Sequence, residues 1–502
     1  MSINLIANVV NYKNKLAIGR DNGLLFRLKE DLKYFQHITT HNLNSNSKLD
    51  KNVVVMGRKT WFSIPREKRP LKNRINLVLT NDKDLIKLSP YPTFPWTKLD
   101  NSVYFINYDQ LLKFYKKYTP NMFIIGGSKI YNLFLNNPDI KLKPNKIFLT
   151  EVYNYIPEIG VEPDTFMDHF DQSYKLVGVS DKKHDPGYDL HFRFLEYRHY
   201  PNYITEEAKY IKLAKDILEN GNERSDRTGV GTISSFGHQL HFDISQSIPL
   251  LTTKRVQFKG IVEELLFFCR GDTDSKLLDA KNVKIWNGNT TRDFLDNRGL
   301  HFYDQGIMGP MYGFMWRNFG GKYSQAFADT SKIDLSKIGG FDQLSHVEHL
   351  LKTDPFSRRI YISNLNPEQS DKMVLEPCHV FFQLYVTEEN GQKYLSGHFL
   401  MRSNDFGCGF PFNITSYTIL IYLLALRCNM KPKEIVYSCS DVHIYKNHIT
   451  QIQQQFTRTP RPFPRLKVND NVKYKDWSEI QYTDFDLIGY FPYPGIKMEM
   501  AI

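Results

Sequence analysis

Short apolar runs rich in β-branched residues alternate with amphipathic helical patterns along the first part of the chain. Runs at 4–10, 53–56, 75–80, 103–106, 122–125 and 146–152 predict strands, and the apolar spacing at 28–38 and 130–135 predicts helices. This alternation is typical of an α/β domain with a central, mostly parallel sheet. A last run near 190–196 leads into a polar stretch broken by Pro201, so we predict a first domain over 1–196 and a short linker over 197–205.

A different pattern begins at Glu206. Apolar residues at 210, 213, 214, 217 and 218 share one face of a predicted helix. Long apolar helices at 260–268 and 416–428 then mix with strands at 359–364, 380–386 and 393–400, which predicts one larger α+β domain over 206–502. The most apolar stretch, 417–426, is about half as long as a bilayer span requires, so we predict a buried helix there.

Composition narrows the class of protein. The chain has 502 residues, 41% apolar and 24% charged, which fits a soluble globular protein and excludes disordered, collagen-like and coiled-coil chains. Its net charge of +11 is spread without basic blocks, so it suits a protein that handles small anions. The chain lacks RNA-recognition, zinc-finger and basic-helix motifs, and we expect no obligatory nucleic-acid partner.

The cysteines and the N-terminus indicate a compartment. Five cysteines without a repeated spacing argue for reduced thiols rather than a disulfide scaffold. The first ten residues lack a positively charged region and resemble a strand rather than a signal peptide. We therefore expect a cytoplasmic protein with no membrane association.

One acidic residue stands in an apolar helical stripe. Asp31 shares a face with Leu28, Leu32 and Phe35, where a carboxylate is unfavourable unless donors or a cation meet it. The spacing alone is equally compatible with a side chain that leans out to solvent.

Two segments combine a strand, a glycine turn and a helix start. Residues 53–60 contain Gly57, Arg58 and Lys59, and residues 124–131 contain Gly126 and Gly127. Such turns can present free N–H groups to a phosphate, and the two basic residues would suit the additional phosphate of NADPH. Either motif alone is more often just a turn.

Residues 1–196 resemble the dihydrofolate reductase family on MGRKTWFSIP, RPLKNRINLVLT, IIGGSKIY and LTEV, in that order and spacing. The resemblance implies that Asp31 holds the pteridine and polarises it while water delivers the proton, that Thr150 fixes Asp31, and that Arg74 pairs with the glutamate tail. The implied dihydrofolate site is Ala7, Asp31, Ser63, Ile64, Arg74 and Thr150. The implied NADPH site is Ala7, Gly19, Gly57, Arg58, Lys59, Thr60, Thr80, Gly126, Gly127, Ser128, Lys129, Ile130 and Tyr131.

Three features depart from that family. Leu25 and Phe26 stand where a Pro-Trp pair is usual, so an indole N–H near the pterin is missing. The loop between Ala7 and Gly19 is longer than usual, and residues 81–101 are elaborated. These differences bear on rates and inhibitor fit rather than on the reaction.

The five cysteines differ in their surroundings. Cys269 and Cys428 end apolar helical runs and are predicted to be core residues. Cys439 and His443 have half of a zinc-site spacing with no second pair, so no metal is expected. Cys378 lies just before a strand beside a potential base, His379, and its spacing ranks it only slightly above Cys408, which lies between glycines.

Four arginines lie in short polar motifs: Arg227, Arg358, Arg359 and Arg402. Guanidinium groups suit a dianionic phosphate, and cationic neighbours lower the pKa of a thiol. For any single one of them, a surface ion pair is the better explanation.

Residues 206–502 resemble the thymidylate synthase family over their whole length. The matching segments are RSDRTGVGT, LLTTKRV, EELLFF, MGPMYGFMWR, SRRI, EPCHVFFQLYV, RSNDFGCGFPFNITSY, DVHIYKNH and PGIKMEMAI. The whole chain therefore resembles the fused dihydrofolate reductase–thymidylate synthases of protozoa and plants. The family commonly has Gln where Met401 stands, and DFGCGF varies a loop that is usually leucine-rich.

The second resemblance implies a reaction and its residues. Cys378 would add to carbon 6 of dUMP, Glu264 would relay protons through water, and Tyr312 would lie near the reacting methylene. The implied dUMP site is Arg227, Arg358, Arg359, His379, Arg402, Ser403, Asn404, Asp405, Asn413, His443 and Tyr445, with Arg358 and Arg359 supplied by the partner of a homodimer. The implied methylenetetrahydrofolate site is Trp286, Asn289, Asp405 and Ile502, the last in a closing C-terminal tail.

Other functions fit the residues less well. Transfer to dCMP is disfavoured because the carboxamide of Asn413 suits the uracil edge, whereas the amino edge of cytosine favours an acid. A binding protein or an inactive heterodimer partner would be expected to lose Cys378, Asp31 or Glu264, and all three are present.

Overall fold

The computed structural model describes residues 2–41, 49–89, 103–155, 162–333 and 338–500. The chain divides into two compact units, Met1–Ile204 and Thr205–Ile502. The last strand of the first unit continues to His199, past the end at 196 that the sequence predicts. Of the elaborated segment 81–101, the part from 90 onward lies outside the described residues.

A twisted sheet forms the centre of the first unit. Its strands are β1 (Ser2–Tyr12), β2 (Lys15–Gly19), β3 (Val53–Gly57), β4 (Ile75–Leu79), β5 (Val103–Ile106), β6 (Asn121–Gly126), β7 (Lys146–Tyr153), β8 (Thr165–Met167), β9 (Tyr174–Val179), β10 (Lys183–Asp185) and β11 (Leu190–His199). Pairing runs parallel in the order β7-β1-β6-β3-β4-β5. The predicted α/β architecture with a mostly parallel sheet is confirmed.

Antiparallel strands extend this sheet. β11 pairs antiparallel with β7, and β9 and β10 pair with β11. The longer segment between Ala7 and Gly19 is a hairpin of β1 and β2, turning at Lys13 and Asn14, which both have positive φ.

Helices connect the parallel strands and cover the sheet. They are α1 (Lys29–Thr40), α2 (Arg58–Ser63), α3 (Lys83–Lys87), α4 (Tyr108–Tyr118) and α5 (Ser128–Leu135). The strands they connect are nearly continuous apolar runs because both faces are buried, as in β3 and β4.

A second sheet and a set of helices build the larger unit. Its strands are β12 (Asn222–Arg224), β13 (Thr232–Asp243), β14 (Tyr361–Ser363), β15 (His379–Glu389), β16 (Gln392–Asp405), β17 (Lys431–Tyr445), β18 (Arg465–Val468) and β19 (Phe485–Ile488). Its helices are α6 (Glu207–Asn220), α7 (Phe258–Arg270), α8 (Lys276–Asp279), α9 (Arg292–Asn297), α10 (Tyr312–Asn318), α11 (Gln343–Thr353), α12 (Gly409–Arg427) and α13 (Ile449–Phe456). The main sheet has the order β12-β13-β17-β16-β15-β14, in which the β16–β17 pair is parallel and the other pairs are antiparallel, and this mixture confirms the predicted α+β class.

The buried helix α12 fills the centre of the larger unit. It is long and apolar enough to cross a membrane, but 72% of its most apolar window is buried within the protein, as in the core helix of a soluble protein. Tyr417 stacks on Phe399 of β16 with ring centroids 3.6 Å apart. One face of the sheet therefore belongs to the core.

The opposite face of that sheet carries half-buried and exposed side chains. Register places Tyr361, Gln383, His398, Val436 and His241 in one row across the strands, and Tyr385 in a neighbouring row. Tyr361 is 43% exposed and Tyr385 is 68% exposed. We call this surface the open sheet face.

Candidate active sites

A row of polar side chains meets Asp31 in the first unit. Asn8 of β1 and Thr150 of β7 are register partners, so both point to the same side of the sheet. The Thr150 hydroxyl donates to Asp31 Oδ1 at 2.5 Å, and Asn8 Nδ2 donates to Asp31 Oδ2 at 3.1 Å. Burial raises the pKa of Asp31, and these two hydrogen bonds oppose the rise.

An aromatic pair continues the same row. Phe194 of β11 is the register partner of Thr150, and it stacks on Tyr34 of α1 with centroids 3.9 Å apart. This contact packs α1 against the sheet in the turn after Asp31. Asp31 therefore accepts hydrogen bonds from two neighbouring strands where α1 packs against the sheet.

Arg74 lies near the far end of the same helix. Its side chain is buried, donates to the Thr39 hydroxyl at 2.7 Å and to the Lys72 carbonyl at 3.0 Å, and lies over the ring of Phe35. Burial lowers its pKa. The two hydrogen bonds fix the guanidinium before any anion binds.

Two glycines let the start of α5 approach the sheet closely. A Cβ on Gly126, where φ is +117°, would lie 3.2 Å from the Tyr131 hydroxyl, and one on Gly57 would lie 3.1 Å from Ile130. The Tyr131 hydroxyl donates to the Ile6 carbonyl at 2.8 Å, which ties α5 to β1. We call the site formed by Gly57, Gly126 and the start of α5 the glycine cradle. Only small residues permit this close packing, and N–H groups of the helix start lie at its edge.

The other residues of the implied reductase sites lie on β1, β2, α2 and α5 or in the turns beside these elements and β4. Arg58 is exposed and pairs with Asp82 at 3.0 Å, and Thr80 accepts the Asp82 N–H. The Ser63 hydroxyl donates to the Thr60 carbonyl. The remaining residues are Ala7, buried in β1; Gly19, at the end of β2; Lys59, exposed in α2; Ile64, directly after α2; and Gly127, Ser128 and Lys129, at the start of α5.

Phe26 fills the place where the resemblance leads one to expect tryptophan. It is buried and meets the rings of Tyr155 and Tyr188 edge-on, at 5.3 and 5.8 Å. An aromatic ring without an N–H donor therefore replaces the indole.

In the larger unit, Cys378 lies at a corner before β15. Its backbone N–H donates to the Tyr312 hydroxyl at 2.9 Å. Arg402 of β16 braces the corner, because its backbone N–H donates to the Cys378 carbonyl and its guanidinium donates to the carbonyls of Pro377 and Glu376. Hydrogen bonds to the backbone of residues 376–378 therefore hold this corner in place.

The expected lowering of the pKa of the Cys378 thiol is not found. Burial raises the pKa of Cys378, and Arg402 opposes the rise without cancelling it, while Asp405 and Glu376 add to it. Arg358 and Arg359 are exposed just before β14 and are not among the charges that act on the thiol. The arginines in the sequence predict a lowered thiol pKa. The sequence does not show the burial of the sulfur, which raises the pKa instead.

His379 is not placed as a base for its neighbour. Its Nε2 meets Asn413 Oδ1 at 3.1 Å and its Nδ1 meets the Tyr417 hydroxyl at 3.3 Å, so both ring nitrogens are occupied. Burial lowers its pKa to about 4, which keeps the ring neutral. The ring stacks on Tyr312 at 4.5 Å, and His379 thus orients Asn413 and Tyr312.

Glu264 lies buried in α7. Trp286 donates its indole N–H to Glu264 Oε1 at 2.8 Å, and burial raises the pKa of Glu264 to about 7. A carboxyl group with that pKa can both take up and release a proton near neutral pH. Asn289 is buried in the turn that follows Trp286.

The parallel strands β16 and β17 end side by side. Register pairs Ser403 with Asp441, Asn404 with Val442, and Asp405 with His443. His443 Nδ1 contacts Asp441 Oδ1 at 2.8 Å, and Asn404 donates to the Tyr437 hydroxyl at 2.9 Å.

Tyr445 connects these strand ends to the Arg227 loop. Burial raises the pKa of Tyr445 to about 12, Asp405 and Asp226 add to the rise, and Arg227 opposes it. Arg227 itself is exposed, beside the Asp226 turn. Ile502 lies outside the described residues.

Several residues that support the sites carry little signal in the sequence. Asn8 can be noticed in the sequence because it is a polar residue between apolar neighbours in β1. Its hydrogen-bond partner, Asp31, lies 23 positions away and cannot be identified from that pattern. Glu207 carries no such signal: it is fully buried and accepts hydrogen bonds from the backbone N–H and hydroxyl groups of both Thr252 and Thr253. The next residue, Lys254, is buried and donates to the Gly407 carbonyl at 2.6 Å.

Cys439 and His443 are not part of a cluster of metal-binding groups among the described residues. Cys439 is buried in β17 opposite Met401, and His443 faces Asp441. Cys269 is buried and Cys428 half-buried.

Comparison with known proteins assigns each unit to a family description. A family model described as dihydrofolate reductase matches residues 5–199, and one described as thymidylate synthase matches residues 208–502. Similar proteins named bifunctional dihydrofolate reductase-thymidylate synthase occur in Zea mays (36% identical, over 98% of this chain and 96% of that protein), in Paramecium tetraurelia (38%, over 97% and 96%) and in Leishmania major (35%, over 100% and 96%). Each of these relatives matches both halves of this chain.

Proposed function

The chain belongs to the bifunctional dihydrofolate reductase–thymidylate synthase family, and from that membership we propose which residues carry each of its two reactions. Its second domain converts dUMP and 5,10-methylenetetrahydrofolate to dTMP and dihydrofolate. Its first domain reduces dihydrofolate to tetrahydrofolate with NADPH. We propose the reductase domain from residue 1 to the end of β11 at His199 and the synthase domain over 206–502, which shortens the predicted linker 197–205 to the residues after that strand.

Asp31 is the group that orients dihydrofolate. Its carboxylate keeps lone pairs free beyond those that accept from Thr150 and Asn8, and these can accept N–H donors from the pteridine edge. A negative charge there favours the protonated ring, while water delivers the proton. Arg74, fixed by Thr39 and the Lys72 carbonyl, pairs with the glutamate tail, with Ser63, Ile64 and Ala7 along the pocket.

The residues at the glycine cradle fit NADPH. The lack of a Cβ at Gly57 and Gly126 lets Ile130 and Tyr131 at the start of α5 pack against the strand ends, so that N–H groups of this helix start can face a phosphate, and Arg58 and Lys59 lie exposed at the start of α2 for a further phosphate. Gly19, Thr60, Thr80, Gly127, Ser128, Lys129, Ile130 and Tyr131 complete the proposed site. NADPH supplies the hydride when bound; the chain supplies position and charge.

Cys378 is the nucleophile of the synthase. Its thiolate forms a bond to carbon 6 of the uracil ring, and the electron pair of the ring double bond moves towards the carbonyl, which makes carbon 5 nucleophilic towards the methylene of the folate. Because burial disfavours the free thiolate, we propose that it forms only as the substrate enters, with Arg402 as the positive charge that favours it. Asn413 reads the uracil edge, held by His379.

The remaining synthase residues surround these two. Glu264 relays protons through water, since its pKa of about 7 lets it take up and release protons at neutral pH. Phosphate and ribose contacts are proposed for Arg227, Arg402, Ser403, Asn404, Asp405, His443 and Tyr445. Folate contacts are proposed for Trp286, Asn289, Asp405, Tyr312 and Ile502.

The single observation that carries the reductase assignment is the pair of donors on Asp31, and a coupled assay tests it. Dihydrofolate formation from dUMP and methylenetetrahydrofolate is followed first, and NADPH oxidation after NADPH is added. We expect C378S to abolish the first signal, and with it the second unless dihydrofolate is added directly, and D31N to lower only the second by about 100-fold or more. Asp84→Asn, an exposed control in α3, leaves both unchanged. A D31N enzyme with full reductase activity would overturn the assignment of Asp31.

We also propose that the enzyme is a homodimer formed through the open sheet face. Exposed aromatic residues such as Tyr361 and Tyr385 are atypical of a solvated sheet surface, and alternation puts Arg402 on the same side as Leu400 of that face. Arg358 and Arg359, at the β14 edge, would then reach the phosphate bound to the partner subunit.

Complementation tests this arrangement. Co-expression of R359A and C378A chains gives hybrid dimers in which one site regains both groups, so about a quarter of wild-type synthase activity returns. Each variant alone stays inactive. No recovery in verified hybrid dimers would place Arg359 in its own subunit's site. We further propose a cytoplasmic enzyme that requires neither nucleic acid nor a membrane.

A further inference from the structure

A largely buried cluster of three metal-binding groups adjoins the proposed folate site. Asp405, Cys408 and His448 each direct a ligand atom into one space, with all three atoms within 4.8 Å of one another. His448 Nδ1 is 3.9 Å from Asp405 Oδ1. The resemblance to the synthase family offers no reason for a thiol here, because this loop is usually leucine-rich.

The imidazole of His448 is prepared for a ligand that accepts an electron pair. Its Nε2 meets the Glu499 carbonyl at 2.6 Å, so Nε2 carries the proton and Nδ1 has a bare lone pair. His448 is fully buried, and Nδ1 has no hydrogen-bond partner among the residues that the structure describes. A carbonyl that holds the second ring nitrogen is the usual support of a metal-ligating histidine.

We propose that Asp405, Cys408 and His448 form an inhibitory site for Zn²⁺ or another thiophilic divalent cation. Thiolate, imidazole and carboxylate are the ligands that zinc takes in proteins. The ion replaces the thiol proton of Cys408, so that one proton is released for each ion bound, and solvent occupies the fourth position. Ligand atoms around tetrahedral zinc lie roughly 3–4 Å apart, so side-chain adjustments of about 1 Å close the site.

Neighbouring groups limit the affinity. Asp405 Oδ1 already accepts the N–H groups of Gly407 and Cys408, and the buried ammonium of Lys254 lies beside the same loop. We therefore expect weaker binding than in a structural zinc site with four protein ligands.

The functional consequence rests on the proposed function, since Asp405 is a proposed folate contact. An ion on Asp405 removes that contact and fixes the loop before α12. Zinc therefore competes with methylenetetrahydrofolate and inhibits the synthase, while the reductase of the same chain keeps its activity.

Binding is tested with Co²⁺ on the full-length protein, independently of activity. A cobalt–thiolate charge-transfer absorption in the near ultraviolet should grow to saturation in the wild type and equally in Cys428→Ala, a control at another half-buried thiol. It should be lost in C408L, which carries the residue usual in the family, and in C408A, and it should weaken in H448Q. Absence of the band in the wild type, or its persistence in both Cys408 variants, would overturn the site.

Inhibition is tested separately. We expect zinc to raise the KM for methylenetetrahydrofolate, and C408L to raise the zinc concentration for half-inhibition more than about tenfold. If the band depends on Cys408 but zinc does not compete with the folate, the metal site stands and the folate role of Asp405 fails.

Discussion

At the scale of single residues, burial sets the chemistry more strongly than neighbouring charge. Glu264, Asp31 and Cys378 all have raised pKa values because desolvation disfavours their charged forms. For Asp31 and Glu264, hydrogen bonds from neutral donors only partly oppose this effect.

Glu264 gives a pH-dependent stability that can be measured. Its folded pKa of about 7 lies above the unfolded value of 4.5, so its contribution to stability is complete below about pH 4.5 and is lost as the pH rises through 7. E264Q keeps an acceptor for Trp286 without the charge. We expect E264Q to exceed the wild type in free energy of unfolding by about 2–3 kcal/mol at pH 8 and by much less at pH 5.

Urea unfolding at the two pH values checks this expectation. Glu219→Gln, an exposed change in α6, serves as the control and should shift stability little at either pH. A difference between E264Q and the wild type that does not vary with pH would contradict the raised pKa.

At the scale of elements, glycine positions decide how closely helices approach the sheet. Gly126 combines a positive φ with a neighbouring ring, whereas Gly299 has a positive φ of +77° and no atom within 4 Å of the position that a Cβ would take. The two positions therefore separate backbone strain from loss of space.

G126A should weaken NADPH binding at least tenfold, because the added carbon meets the Tyr131 ring and displaces the start of α5. It should also destabilise its domain by about 1–3 kcal/mol. G299A, in the larger unit, should show the backbone effect alone in its free energy of unfolding, and its NADPH affinity should be unchanged because that unit does not carry the proposed NADPH site. Fluorescence titration with NADPH distinguishes them, and equal affinity for wild type and G126A would mean that the cradle tolerates a side chain.

The sequence predicts a helix or strand correctly where the local spacing of apolar residues determines it. The apolar runs at 53–56 and 103–106 became β3 and β5 almost residue for residue, because strands buried on both faces must be apolar throughout. The apolar stripe left the orientation of Asp31 open, and only the family resemblance pointed to Thr150, its partner 119 positions away. Similarly, adjacency suggested His379 as a base, but its occupied nitrogens depend on α12, which only the fold brings near.

At the scale of the whole molecule, the open sheet face is the surface that we expect a second copy of the chain to cover. Its aromatic residues are exposed in the single chain, and the proposed partner arginines lie at its edge. The synthase is therefore expected to depend on association and the reductase not to.

Tyr385→Glu should produce monomers, since a carboxylate buried in the proposed interface without a partner is strongly unfavourable. We expect sedimentation velocity to show the smaller species, synthase activity to fall by about 100-fold or more, and reductase activity to persist. Tyr474→Glu, which changes an equally large ring that is 80% exposed and outside this sheet, is the matched control. A fully active Tyr385→Glu monomer would overturn the proposed interface.

The buried carboxylate of Glu207 has a practical consequence for dividing the chain. The family match to the synthase begins at residue 208, one position after it. A polypeptide cut at that match would bury the N–H and hydroxyl donors of Thr252 and Thr253 without their acceptor, and would loosen the segment that carries Lys254 to the Gly407 loop. An isolated synthase should therefore start no later than Thr205, because a polypeptide that begins at the family match lacks the Glu207 carboxylate.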